Sequence, residues 1–272
     1  MFIYKSKTAL VTGASTGIGE TFARTLAARG SNVILVARSE QKLQALAHEL
    51  TQQYGIKAEV IALDLSRENA AAELYQAVKA HNLQVDILVN NAGFGGHGLF
   101  AEADATRQHE MVMLNITAVV DATHAFLGDM AQRGDGAIIN VASTAAFQPV
   151  PYMAVYGASK AFILSFTEAL WAEYRDKGVR ILALCPGATE TPFFEVMGSR
   201  EAAVGTMSTT QAVVDAGLRA LERGQSTVIE GRVNNLLAIL PRFVPRQMVL
   251  GILARSLRPR NSAKGKQALP VA

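Results

Sequence analysis

The chain has 272 residues, half of them apolar, one cysteine and a formal charge of +3. This fits an α/β domain with a substantial core; the apolar residues fall in strand-length runs, not the roughly 18 in succession that a membrane span needs. From Gly231 onward there are eight Lys or Arg and no Asp or Glu, so this segment contributes +8 and residues 1–230 carry −5.

Met1 to Lys7 is too short and polar for a secretory signal and a strand pattern follows at once, so a cytoplasmic location is expected. The runs 8–12, 33–37, 58–63, 85–89, 137–142, 179–185 and 226–230 read as strands, with helical periodicity at 17–29, 40–53 and 67–80 between them. Such alternation builds a parallel sheet covered on both faces. Gly30, Gly55 and Gly178 fall where helices should end.

The first strand leads into Gly13-Ala14-Ser15-Thr16-Gly17-Ile18-Gly19, which opens the first helix. Unpaired amides and the positive end of the helix dipole there suit a pyrophosphate, and glycines let the backbone approach it. The spacing is G-x-x-x-G-x-G rather than G-x-G-x-x-G, and by itself such a turn is also compatible with plain packing. Further on, Ser143 follows the run Ile138-Ile139-Asn140-Val141-Ala142, and Tyr156 and Lys160 stand four apart. On a helix these two share a face, and an ammonium beside a phenol favours the phenolate. That makes Tyr156 a candidate proton donor, although a Tyr and a Lys four apart occur on many helices. Cys185, before Pro186, reads as a buried strand residue and not a nucleophile. His97, His109 and His124 lack metal-ligand spacing, and no metal is expected.

Taken together these motifs resemble the short-chain dehydrogenase/reductase family, single-domain type, over about residues 7–231. The resemblance rests on Thr12 to Gly19, Asp64-Leu65, Asn90-Asn91-Ala92-Gly93, Asn115, Ser143, Tyr156 with Lys160, and Pro186-Gly187 followed by Thr191. It implies a doubly wound, Rossmann-type parallel sheet of seven strands with helices on both faces and the active site at the strands' C-terminal ends. It also implies that Asn115, Ser143, Tyr156 and Lys160 form the catalytic set. Tyr156 would exchange a proton with the substrate oxygen and Ser143 would hydrogen-bond that oxygen. Lys160 would lower the tyrosine pKa and hold the nicotinamide ribose, and Asn115 would bind a water linking Lys160 to solvent.

By the same resemblance the cofactor contacts are Gly13, Ser15, Thr16, Gly17, Ile18, Gly19, Arg38, Asp64, Leu65, Asn91, Ala92, Gly93, Tyr156, Lys160, Pro186, Gly187, Thr189 and Thr191. Asp64 would flank the adenine, although a strand-end Asp is equally a helix N-cap. The second strand ends in Ala37-Arg38 where NAD sites place an acid, and a guanidinium bonds a 2′-phosphate in bidentate fashion, so NADP (NADPH) is favoured. Pairing of Arg38 with Glu40 is the plain alternative.

Phe94, the stretch Phe147 to Met153, and Phe193, Phe194, Val196 and Met197 either line an apolar substrate pocket or pack a lid. The expected function is hydride transfer between NADP and a small-molecule carbonyl or secondary alcohol, apolar in character. The alternative is an NADP-binding sensor or scaffold, against which the intact Asn-Ser-Tyr-Lys set argues. Residues 1–231 form the expected catalytic domain and 232–272 a basic, partly amphipathic extension, which Pro241 and Pro245 divide into two short helical pieces. For this extension an oligomer contact or solvated tail stands beside peripheral membrane contact or a cover over the site entrance. Its arginines lack interleaved aromatics, so no nucleic-acid partner is expected. The family resemblance implies a homodimer or homotetramer.

Overall fold

The apolar runs form one parallel sheet in a computed structural model that describes residues 2–199 and 207–259. Its strands are β1 (Thr8–Thr12), β2 (Asn32–Ala37), β3 (Ala58–Ala62), β4 (Ile87–Asn90), β5 (Gly136–Val141), β6 (Val179–Cys185) and β7 (Thr227–Ile229), in the spatial order β3-β2-β1-β4-β5-β6-β7. The helices between them are α1 (Gly17–Ala28), α2 (Glu40–Tyr54), α3 (Ala70–Ala80), α4 (Ala105–Val112), α5 (Ala118–Arg133), α6 (Ala154–Tyr174), α7 (Phe193–Val196) and α8 (Thr210–Glu222). α9 (Arg232–Ile239) and α10 (Arg246–Ser256) follow β7.

Strand side chains alternate between the faces, and two cores result. Ala9 and Val11 of β1 and Val33 and Leu35 of β2 pack with Phe22 and Leu26 of α1, Leu43 and Leu50 of α2 and Val213 and Leu218 of α8. Leu10, Ile34 and Val36 point the other way, toward Leu74 and Val78 of α3 and Phe126, Leu127 and Met130 of α5. Burial on both faces explains why the central strands read as largely apolar runs, while the edge strands β3 and β7 are only partly buried. The same burial accounts for the helical stretch Ala105–Arg133, which is long and apolar enough by length and composition to cross a membrane. Its Val119, Ala122, Phe126, Leu127 and Met130 are core residues.

Glycine ends three helices where the sequence placed the stops: Gly55 and Gly178 take the left-handed conformation at φ +66° and +76°, and Gly30 does so at +82°. Most boundaries shift by one or two residues, and the largest difference is at α3. α3 begins at Ala70, not at residue 67, because the Asp64 carboxylate accepts bonds from the Ser66 amide (2.9 Å) and hydroxyl (2.7 Å) and draws the chain into a turn. Strand order reverses between β1 and β4, where the chain leaves one half of the sheet for the other, and the crevice above that switch point is where ligands of such sheets bind.

Candidate active site

A cavity of ≈ 650 Å³ opens at the C-terminal edge of the sheet. Its floor is the turn from β1 into α1. Thr16 caps α1 without a side-chain hydrogen bond, so the first-turn amides are left for an anion. The turn is braced from β4: Asn91 Nδ2 donates to the carbonyls of Thr12 (2.9 Å) and Gly13 (3.3 Å), while Thr12 Oγ1 accepts from the amides of Asn91 (2.9 Å) and Ala92 (3.0 Å). Gly13 takes φ +67°, and a Cβ on Gly19 would collide with the Gly13 carbonyl and lie 2.5 Å from Asn91 Nδ2. Only glycine lets α1 start this close to the sheet.

At one end of the cavity stand Ser15, Arg38, Ser39, Lys42 and Asp64. Among the described residues Arg38 makes no ion pair, with Glu40 or any other carboxylate. Burial pushes the Asp64 carboxyl up, but the Ser66 hydrogen bonds and the charges of Arg38 and Arg67 outweigh it and hold it below the ordinary range. A full positive charge therefore faces the cavity beside an ionised Asp64.

The reacting end is built by β5, α6 and the π-helical turn Met113–Thr117 between α4 and α5. Ser143, just past β5, accepts from the Ala145 amide (3.1 Å) and is a hydrogen-bond neighbour of Tyr156 in the first turn of α6. Burial raises the Tyr156 pKa to about 12, and the Ser143 hydrogen bond opposes that rise. Lys160, one turn on, donates to the Val141 carbonyl (2.8 Å), and its Nζ lies 5.8 Å from the Tyr156 ring centroid. Burial lowers the Lys160 pKa to about 8, with Cys185 pulling the other way. The two groups share a face, and burial dominates both, raising Tyr156 and lowering Lys160.

Asn115 is 1% exposed within the π turn. Its Nδ2 donates to the Phe94 carbonyl (2.9 Å) and to Ser159 Oγ (3.2 Å), and its Oδ1 accepts from the Phe94 amide (3.1 Å). Ser159 Oγ in turn donates to the Tyr156 carbonyl (2.7 Å), so Asn115 is tied to the catalytic helix through a buried serine. A wide turn of this kind re-aims a side chain that a regular helix would point elsewhere.

The far end is apolar. Phe94, Val150, Met153, Phe193, Phe194 and Val196 line it, whereas Met197 packs with Met111 and Met153, and Phe147 packs toward Val119 and Ile163. Pocket wall and lid packing are both present, divided among different residues. Gln148 also lines the cavity, with its Oε1 buried and unpartnered. The wall is completed from the C-terminal side by Leu253 and Leu257 of and after α10, anchored by a 2.8 Å contact between His97 Nε2 and the Leu257 carbonyl.

The chain matches the short chain dehydrogenase family over residues 7–202. It belongs to that family. It is 37% identical over 199 residues to the 17-beta-hydroxysteroid dehydrogenase type 3 of Mus musculus, which covers 71% of this chain and 63% of that protein's length. Among solved structures, the short-chain dehydrogenase from Sphingobium yanoikuyae in complex with NADPH is 30% identical with a TM-score of 0.78, over 96% of this chain and 99% of the other. The bulky-bulky ketone specific alcohol dehydrogenase from Comamonas testosteroni is 32% identical with a TM-score of 0.75, over 97% and 99%.

In this short-chain dehydrogenase the cavity brings together every site residue expected from the sequence except Gly19 and Asn115, which lie directly behind its wall. Cys185 is buried in β6, its thiol pKa raised to about 12 by burial. Several contributors escaped the sequence reading. Lys42, in the first turn of α2, is a second basic residue close after Arg38, and that proximity was a usable signal. Thr12 stands in the first motif, Gln148 in the stretch Phe147 to Met153, and Leu253 and Leu257 in the extension that one reading makes a cover over the entrance, each without a role of its own; Ser159 carried no signal. Asn90 and Asn140 are polar interruptions in apolar strands and were visible as such; they are bonded to each other (2.9 Å) and to Thr123 (3.1 Å) and Thr167 (3.0 Å), locking β4 and β5 to α5 and α6.

Proposed function

We propose that this chain is an NADPH-dependent carbonyl reductase, forming a secondary alcohol from an apolar ketone or acyl-chain substrate. The observation that carries the proposal is the convergence of Tyr156, Ser143 and Lys160 on one cavity whose other end offers uncapped α1 amides and the free charge of Arg38.

The residues fit a dinucleotide phosphate. The α1 amides from Thr16 onward would hold the pyrophosphate, and Arg38 with Ser15 and Lys42 the 2′-phosphate. Asp64 and Leu65 would flank the adenine, Asn91, Ala92 and Gly93 would border its ribose, and Lys160 would hold the second ribose. Pro186, Gly187, Thr189 and Thr191 would border the nicotinamide. When bound, the cofactor supplies a hydride to the carbonyl carbon. The protein supplies the proton: Tyr156 Oη donates it to the carbonyl oxygen, while Ser143 Oγ hydrogen-bonds that oxygen as charge develops on it. A phenol already keeps its proton across neutral pH at its ordinary pKa of about 10, the state that a reductase needs of its acid. The apolar far wall favours a bulky apolar substrate, in line with the substrates named for the mouse and Comamonas relatives. The buried lone Cys185 fits a reducing cytoplasm, and a homodimer or homotetramer is the proposed assembly.

The test is a panel of steroid, acyl-thioester, aldehyde and quinone carbonyls with NADPH and NADH. Turnover of a bulky apolar ketone, with a lower KM for NADPH than for NADH, is expected. Tight NADPH binding without turnover of any carbonyl would revive the sensor reading.

A further inference from the structure

The C-terminal segment presents two opposed faces. Toward the body, Asn234 and Ala238 of α9 are buried, and Asn234 Nδ2 donates to the Glu230 carbonyl (2.9 Å) and fills the space against Gly187. Leu253 and the buried Leu257 complete the cavity wall. Away from the body, Val233, Leu236, Leu237 and Leu240 of and after α9, then Phe243, then Met248 and Ile252 of α10, are exposed; Phe243 is 80% and Leu236 64% accessible. These positions follow helical spacing, so they form stripes and not scattered residues. A patch of this kind on an exposed surface marks an interaction site.

Charge identifies the occupant. Exposed Arg232, Arg246, Arg255 and Arg258 flank these apolar residues, and residues 231–272 contain no Asp or Glu. Arg255 continues the Met248-Ile252 stripe by one turn. If two copies met through this face about a twofold axis, arginine would oppose arginine with no acid in the segment to compensate. An anionic lipid surface supplies both missing complements, negative headgroups for the guanidinium groups and acyl chains for the apolar side chains.

We propose that α9, the loop around Phe243 and α10 dock this protein onto anionic membrane surfaces. One side of α10 then rests on the lipid while the other lines the cavity, so an apolar substrate reaches the wall formed by Leu253 and Leu257 from the bilayer. This last step rests on the carbonyl-reductase reading; the docking does not.

The full chain is mixed with vesicles of pure phosphatidylcholine, or of phosphatidylcholine with phosphatidylserine at three to one, and sedimented. Wild type should bind the anionic vesicles at least about tenfold better, with binding falling as salt rises. Leu236→Ser with Phe243→Ser should lower that binding about tenfold or more, and Arg246→Glu with Arg255→Glu should abolish the preference for phosphatidylserine, each retaining wild-type NADPH binding as a check of the fold. Equal or absent sedimentation with both vesicle types overturns the proposal. So does unaltered vesicle binding in the Leu236→Ser, Phe243→Ser variant accompanied by conversion of a dimer to a monomer, which would assign the face to a second copy. None of these readouts uses turnover, so they stand apart from any failure of the proposed reaction.

Discussion

At the scale of single residues, the balance between burial and charge decides what Tyr156 and Lys160 do. Their spacing was legible, but the direction of their pKa values was not, because desolvation depends on what α6 packs against. With Lys160 lowered to about 8 from 10.5, its ammonium is lost as pH rises through about 8. If that charge holds the ribose, kcat/KM for carbonyl reduction in the wild type should decline above pH about 8, and a profile flat to pH 10 would remove Lys160 from this role. Asn115 makes a different prediction. Asn115→Ala deprives the Phe94 amide and carbonyl of their partners, and should cost about 1–3 kcal/mol of stability in urea unfolding. That Phe94 and Ser159 are its partners was not legible in the sequence, since it depends on where the turn before α5 packs.

At the scale of elements, strand periodicity and glycine stops were enough to place β1 to β7, because the five central strands are buried on both faces and the stops at Gly30, Gly55 and Gly178 needed a left-handed residue. The late start of α3 and the π turn were hidden, since both depend on side-chain hydrogen bonds to backbone that no periodicity encodes. The β1-α1 turn tolerates no Cβ at Gly19, so Gly19→Ala should weaken NADPH binding at least about tenfold or prevent folding, as fluorescence titration and circular dichroism would reveal. At the end of β2, Arg38→Ala should raise the KM for NADPH by roughly 10- to 100-fold, the equivalent of one charged hydrogen-bond partner, and leave that for NADH unchanged. Lys42→Ala should do the same to a smaller degree. Equal effects on both cofactors would show that Arg38 does not read the 2′-phosphate.

At the scale of the whole molecule, the site is assembled from both halves of the chain, and its Asn115 and Lys160 are among the buried polar groups of the described residues. Holding a charged Lys160 in the core costs stability wherever it is protonated. The folded-state pKa is depressed, so the unfolded chain binds the extra proton between pH about 8 and 10.5, and stability contributed through this group rises with pH across that window. Lys160→Met should remove that rise and leave the variant more stable at pH 7 by an amount on the order of 3 kcal/mol. The site is therefore kept at the expense of stability, and its proposed proton donor is Tyr156. The most direct measurement is single-turnover reduction of a bulky apolar ketone by the preformed NADPH complex of Tyr156→Phe. The proton-donor account predicts NADPH affinity within about twofold of wild type and a rate lower by at least about 10²-fold; a wild-type rate in that variant would contradict it.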